Sequence, residues 1–182
     1  MSLSNNRMVA ETMARGVEAV QRQAVKGEQT ASDWDAAAYQ EILTSFVGSN
    51  PETFGGGIWF EPYQYRPEQR YFSPYCMRQN GAVTYVDNYS LGEGVYYTDQ
   101  DWYTNAANTT QKSVWSAPYY DEFAQISMVT SSAPIYDETG RFLGVATADI
   151  DLTQMQQMVL SLDVVANGRA FLIDDTGVYI AD

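Results

Sequence analysis

One stretch, Tyr96 to Asp151 (YYTDQDWYTNAANTTQKSVWSAPYYDEFAQISMVTSSAPIYDETGRFLGVATADID), constrains the fold more than any other. Its DQDWYTNAAN segment predicts a short helix carrying a Trp-Tyr pair, with Asp101 placed to cap it. SVWSAPYY (113–120), AQISMVTSSAPIYD (124–137) and FLGVATADID (142–151) follow as strands of an antiparallel sheet. Asp137-Glu138-Thr139-Gly140 supplies the turn chemistry between the last two. Alternation in the last strand puts Thr147, Asp149 and Asp151 on one face and Ala148 and Ile150 on the other. Aromatics and carboxylates recur where helix and sheet face each other, the pattern of a small-molecule pocket wall.

The period differs on either side. From Met8 to about Val25, apolar Val9, Met13, Val17, Val20 and Ala24 form one helical stripe. Ser32 is placed to cap a second helical stretch with Trp34, Ala38, Ile42 and Phe46 on one face, ending near Gly48. Gly27 is the one strong interruption between them, so a single bent helix is the other reading. Gly55-Gly56-Gly57 reads as a turn, with no Gly-Lys-Ser/Thr to make it a phosphate loop. GIWFEPYQY (57–65) and RYFSPYCMR (70–78) read as strands joined through Arg66-Pro67-Glu68-Gln69, and AVTYVD after Asn80-Gly81 as a short extended piece. LTQMQQMVLSL (152–162) predicts a connecting helix with Asp151 as its cap. GRAFLIDDTGVYIAD (168–182) predicts a strand, a turn and a second strand.

Composition excludes several function classes. Twenty-three acidic against 10 basic residues give a net charge of −13, so the basic footprint that nucleic acid requires is missing. The absence of His removes the commonest general base and metal ligand, and the single Cys76 rules out an internal disulfide and a thiolate zinc site. No Gly-x-Ser-x-Gly, His-Glu-x-x-His or calcium-loop pattern occurs. Neither metal nor cofactor is expected, and the chain reads as a binding module, not an enzyme. Acid-pair hydrolysis and an adhesion role for the aromatic strands 57–78 are the alternatives. With no run of about 20 apolar residues, no membrane span is expected within these residues. Met-Ser-Leu at the start and VYIAD at the end suggest a piece of a longer protein.

GIWFEPY (57–63), QDWYTNA (100–106), VWSAPYYDE (114–122), VTSSAPIYD (129–137), GRFLGVATADIDL (140–152) and GRAFLIDDTGVYIAD (168–182) together resemble the double Cache (PAS-like, PDC) sensor module of bacterial and archaeal transmembrane receptors. The resemblance implies an α+β fold: a long N-terminal helix packed on a five-stranded antiparallel PAS-like sheet with short covering helices. It implies a helical region leading from the membrane (1–50), a membrane-distal ligand-binding domain (51–152), and a connecting helix with the first hairpin of a membrane-proximal domain (153–182). It further implies an extracytoplasmic sensor of a membrane-anchored chemotaxis receptor or histidine kinase, with cyclase and phosphatase receptors as the other outputs.

The amino-acid-binding branch of that family grips the ligand carboxylate with Arg-x-Trp-Tyr, and the amine with a Tyr, an Asp and a last-strand Asp. Here Trp102, Tyr103, Tyr119, Asp121 and Asp149 match, and Gln100 stands in the Arg position. A neutral amide cannot replace a guanidinium's two charge-assisted bonds. The expected ligand is therefore an amine, a quaternary ammonium or another non-acidic metabolite, with amino acids as the contrary case. Tyr97 and Trp115 complete the candidate set. Trp102 and Trp115 as plain core residues, and Asp121 as a solvated turn residue, are the competing readings. Ligand entry is expected to order residues 95–105 against the sheet. The N-terminal stripe has two uses open to it, burial on its own sheet and pairing in a homodimer.

Overall fold

The computed structural model describes residues 3–26, 34–87, 89, 94–160, 168, 171–173 and 179–181. Two helices, α1 (Leu3–Lys26) and α2 (Trp34–Ser49), precede the sheet strands β1 (Gly55–Phe60), β2 (Tyr75–Gln79) and β3 (Ala82–Val86). A one-turn 3-10 helix (Tyr97–Asp99) leads into α3 (Asp101–Ala107), then β4 (Val114–Trp115), β5 (Tyr119–Asp121), β6 (Ile126–Tyr136) and β7 (Phe142–Asp151). Helix α4 (Leu152–Leu160) follows, and β8 (Leu172–Ile173) and β9 (Tyr179–Ala181) pair antiparallel as a separate hairpin. Ser32, Gly27 and the Asp-Asp-Thr-Gly turn lie outside the described residues.

The sheet runs β3-β2-β1-β7-β6-β4, with β5 also paired to β6, every described pairing being antiparallel. The α+β expectation holds, but with seven strands in place of five. Three local readings change. Gly55 to Gly57 are not a turn but the buried start of β1, central in the sheet. The strands read at 57–65 and 70–78 are shorter, because the chain leaves the sheet after Phe60 and turns back through an isolated Arg66–Gln69 bridge. The third is that 113–120 is broken into two short strands, β4 and β5.

Helix α1 lays its expected stripe, Val9, Met13 and Val17 with Ala10 and Ala14, against one sheet face. In α2 the buried line is Tyr39, Leu43 and Val47, one residue along from the expected Ala38, Ile42 and Phe46, which flank it. These helices cover Ile58, Phe60, Cys76, Ala133, Ile135, Ala146 and Ala148. At roughly 25 cal/mol per Å2 of apolar area buried, this layer stabilises the fold in proportion to the area it covers. The opposite sheet face carries Trp59, Tyr75, Met77, Met128 and Val145, covered by Tyr97, Trp102, Tyr103 and Ala106. That second face holds the site.

Candidate ligand-binding site

Strand alternation selects which side chains meet there. Gly55 pairs with Asp149, Gly57 with Thr147, and Thr130 and Ser132 with Asp149 and Thr147, so all of these share the second face. The glycines leave the floor bare. A Cβ on Gly55 would collide with the Tyr75 hydroxyl, and one on Gly57 would sit 2.6 Å from the Trp59 indole. Tyr75 therefore reaches across Gly55 to Asp149, and Trp59 lies over Gly57 with its Nε1 donating to Thr147 Oγ1 at 2.8 Å.

A register change brings in the remaining wall. Val114 and Trp115 pair with Ser132 and Ser131, and Ser116 N donates to Thr130 O at 2.9 Å. Beyond this, Tyr119 pairs with Met128 and Asp121 with Ile126. Ala117 and Pro118 thus stand opposite Val129 alone, a β-bulge. Thr130 N donates to Ser116 Oγ instead of a carbonyl, and Pro118, which has no N–H, sits where no ladder donor is needed. The extra residue turns Tyr119 and Asp121 onto the face of Asp149; an uninterrupted strand would have turned them to the α1 side.

Trp59, Tyr75, Tyr89, Trp102, Tyr119, Asp121, Met128, Thr130, Thr147 and Asp149 surround a cavity of about 10 Å3, roughly the space of one water. Both carboxylates are buried, Asp149 at 3 % and Asp121 at 7 % exposure. Tyr75 donates to Asp149 Oδ2 at 2.7 Å, and Thr130 donates to Asp149 Oδ1 at 2.7 Å. With the Thr130 proton given to Asp149, the 2.7 Å contact between Tyr119 and Thr130 is a bond that Tyr119 donates. Asp121 Oδ1 accepts from the Tyr89 hydroxyl and from Ala124 N. Among the described residues, none that lines the cavity is basic.

Burial pushes the Asp149 carboxyl up to about 7; the Thr130 and Tyr75 hydrogen bonds oppose the shift and the charge of Asp121 adds to it. Burial, with the neighbouring carboxylates, also holds the Tyr75, Tyr89 and Tyr119 hydroxyls well above the usual phenol range. The site is a set of hydroxyl donors and two acids, short of one positive charge.

Of the expected residues, the structure brings together Trp102, Tyr119, Asp121 and Asp149. Tyr97 and Tyr103 stand behind the wall: Tyr97 donates to Phe60 O at 2.6 Å and Tyr103 to Glu61 Oε2 at 2.7 Å. These bonds already dock residues 97–107 on the sheet. Gln100 is not in the cavity; its backbone caps α3, the place expected of Asp101, and its amide reaches only Tyr96 O at 3.4 Å. Trp115 is on the opposite face, against Val129, Ile150, Leu152 and Met155, because it precedes the bulge. Asp151 caps α4 as expected, accepting from Thr153 N at 2.8 Å. Asp137 closes its turn, accepting from Thr139 and Arg141. Sequence reading missed Trp59, Tyr75, Tyr89, Met128 and Thr130. Parity in β1, β2 and β6 would have found all but Tyr89, once the strand order was known.

The family model of the methyl-accepting chemotaxis protein-like first PDC sensor domain matches residues 39–157. The chain is 38 % identical over 84 residues, 46 % of its length, to the methyl-accepting chemotaxis protein McpC of Bacillus subtilis, of which this alignment spans 13 %. Its fold is that of the extracellular domain of the putative histidine kinase mmHK1S-Z3, with a TM-score of 0.77 at 23 % identity over 99 % of this chain and 63 % of the other. The ligand-binding domain of the Pseudomonas aeruginosa amino acid chemoreceptor PctC, solved with GABA, matches with a TM-score of 0.55 at 21 % identity over 98 % of this chain and 70 % of that one. The chain belongs to the family of first PDC sensor domains of methyl-accepting chemotaxis protein-like receptors.

Proposed function

We propose that, as a member of this sensor family, the domain binds a small organic cation outside the cell and reports it to a membrane-anchored receptor of chemotaxis or histidine-kinase type. One observation carries the ligand class: Asp121 and Asp149 are buried in one aromatic cavity whose described lining residues offer no positive charge. Residues 88–93 (NYSLGE), between β3 and Gly94, contain no basic residue either. A buried carboxylate without a cation either takes up a proton or acquires a partner. A protonated amine or quaternary ammonium supplies that partner. The faces of Trp59, Trp102, Tyr75 and Tyr119 add cation–π attraction of about 0.5–2 kcal/mol each.

A zwitterionic amino acid, the class to which the PctC ligand GABA belongs, fits less well. Its acid would face Asp121 and Asp149 with no guanidinium to hold it, since Gln100 lies outside the cavity. The kinase, cyclase, phosphatase or methyl-accepting output would belong to the full-length receptor, with the fragment itself serving as a binding module. Strand β7 is the route of the signal, since Asp149 lies three residues before Leu152, the first residue of α4. A ligand that prefers one placement of β7 shifts the population of α4 positions by its differential affinity for the two.

A thermal-shift screen of amines, quaternary ammonium compounds, amino acids, purines and small carboxylates tests the class. At about 100 dissociation constants a ligand adds roughly 2.7 kcal/mol, a rise of about 5–10 °C for a domain of this size. The expected result is stabilisation by amines or quaternary ammonium compounds. Stabilisation confined to amino acids keeps the sensor and overturns the cation reading.

A further inference from the structure

A cavity of about 10 Å3 has room for roughly one water, so an organic ligand enters only if a wall withdraws. Most of the wall is pinned within regular structure. Trp59 is in β1 and tied to Thr147, Tyr75 is in β2 and tied to Asp149, Tyr119 is in β5 and bonded to Thr130, and Trp102 is on α3. Met128, Thr130, Thr147 and Asp149 belong to the two longest strands. Among the described lining residues, Tyr89 alone lies outside helix and strand.

The Tyr89 backbone is fixed, its N donating to Ser73 O at 2.9 Å and its O accepting from Ser73 Oγ at 3.0 Å. Its side chain is held differently. The ring packs edge-on to Trp59 at 5.3 Å and to Tyr75 at 4.9 Å, and on its other side meets Phe123 at 4.4 Å. Phe123 is 44 % exposed, whereas Tyr89 beneath it is 5 % exposed. The hydroxyl ends on Asp121 Oδ1, an oxygen that a ligand cation would also seek.

We infer that Tyr89 is the gate and selectivity side chain of this pocket: its ring plugs the cavity beneath Phe123, and its hydroxyl competes with the incoming cation for Asp121. This rests on the cation reading of the same site. Rotation of the ring past Phe123 opens the cavity without moving the Ser73-anchored backbone. Only a ligand whose N–H or positive charge replaces the Tyr89 bond on Asp121 holds the gate open. A neutral molecule of the same size that lacks such a donor leaves a buried carboxylate with one donor fewer and is rejected.

Two readouts on wild type and Tyr89→Phe test this, the first needing no ligand. Fluorotryptophan-labelled protein is followed by fluorine NMR with a soluble paramagnetic relaxation agent, reading access to the buried indoles of Trp59 and Trp102. Methylammonium and butylammonium are then titrated by calorimetry. Removing the hydroxyl leaves the ring packing and frees Asp121, so access rises several-fold and butylammonium binds about tenfold more tightly, as loss of one hydrogen bond to a charged group implies. Unchanged access overturns the gate, whatever the titration gives. Increased access with weaker alkylammonium binding overturns the competition and makes Tyr89 a ligand contact. Increased access with no alkylammonium binding to either protein upholds the gate and overturns the cation reading instead.

Discussion

Asp149 concentrates the physics of the site in one side chain. It was legible as a candidate because it matches the last-strand Asp that the Cache resemblance implies, on the same face as Thr147. Its partners were not legible, since Tyr75 and Thr130 come from strands 74 and 19 residues away. Trp115 and Gln100 lie away from this cavity for local reasons, one a parity reversed by the bulge, the other a helix cap. The folded carboxyl titrates near 7, against 3.8 for the ordinary group. Between those values the native domain holds a proton that the unfolded chain has released, so stability falls as pH rises through this window. The full shift corresponds to at most about 4 kcal/mol. Asp149→Asn is expected to flatten that slope and to raise the ligand-free midpoint at pH 8. Thermal melts from pH 4 to 8 check this, and a variant that keeps the wild-type slope sinks the assignment.

Among elements, the bulge between β4 and β5 has the largest consequence. Pro118 in a predicted strand was the sequence signal of an interruption, but a proline fixes only that the ladder breaks, not by how many residues. The pairings on either side supply the count, two residues against Val129. Deleting Ala117 removes the extra residue, so that Pro118 alone opposes Val129 while Tyr119 and Asp121 keep Met128 and Ile126 opposite them on the pocket face. The variant is expected to keep ligand binding, measured by titration of the best-stabilising amine. Lost binding would mean that the pairing of β5 with β6 does not place Asp121. The glycines at 55 and 57 were misread because three in a row resemble a turn; in a central strand they are where Tyr75 and Trp59 cross the floor.

At the scale of the molecule, one sheet separates two tasks. Helices α1 and α2 cover one face and complete the larger described core cluster there, and the other face carries the candidate pocket. Helix order, antiparallel class and the β6–β7 hairpin were readable from periodicity and turn residues. Strand order was not, because β1 enters between β2 and β7 through pairings distant in sequence. The β8–β9 hairpin follows α4 as a separate antiparallel pair, and that it opens a membrane-proximal domain is a proposal. On the proposed reading, ligand binding, Tyr89 opening and movement of α4 form one equilibrium.

Calorimetric titration of the best-stabilising amine against wild type and Asp149→Asn tests the central claim most directly. Removing one partner from a buried charge pair costs about 2–5 kcal/mol, so affinity is predicted to fall at least about 30-fold. Equal affinity in the two proteins would place the ligand outside the Asp121–Asp149 cavity and contradict the account.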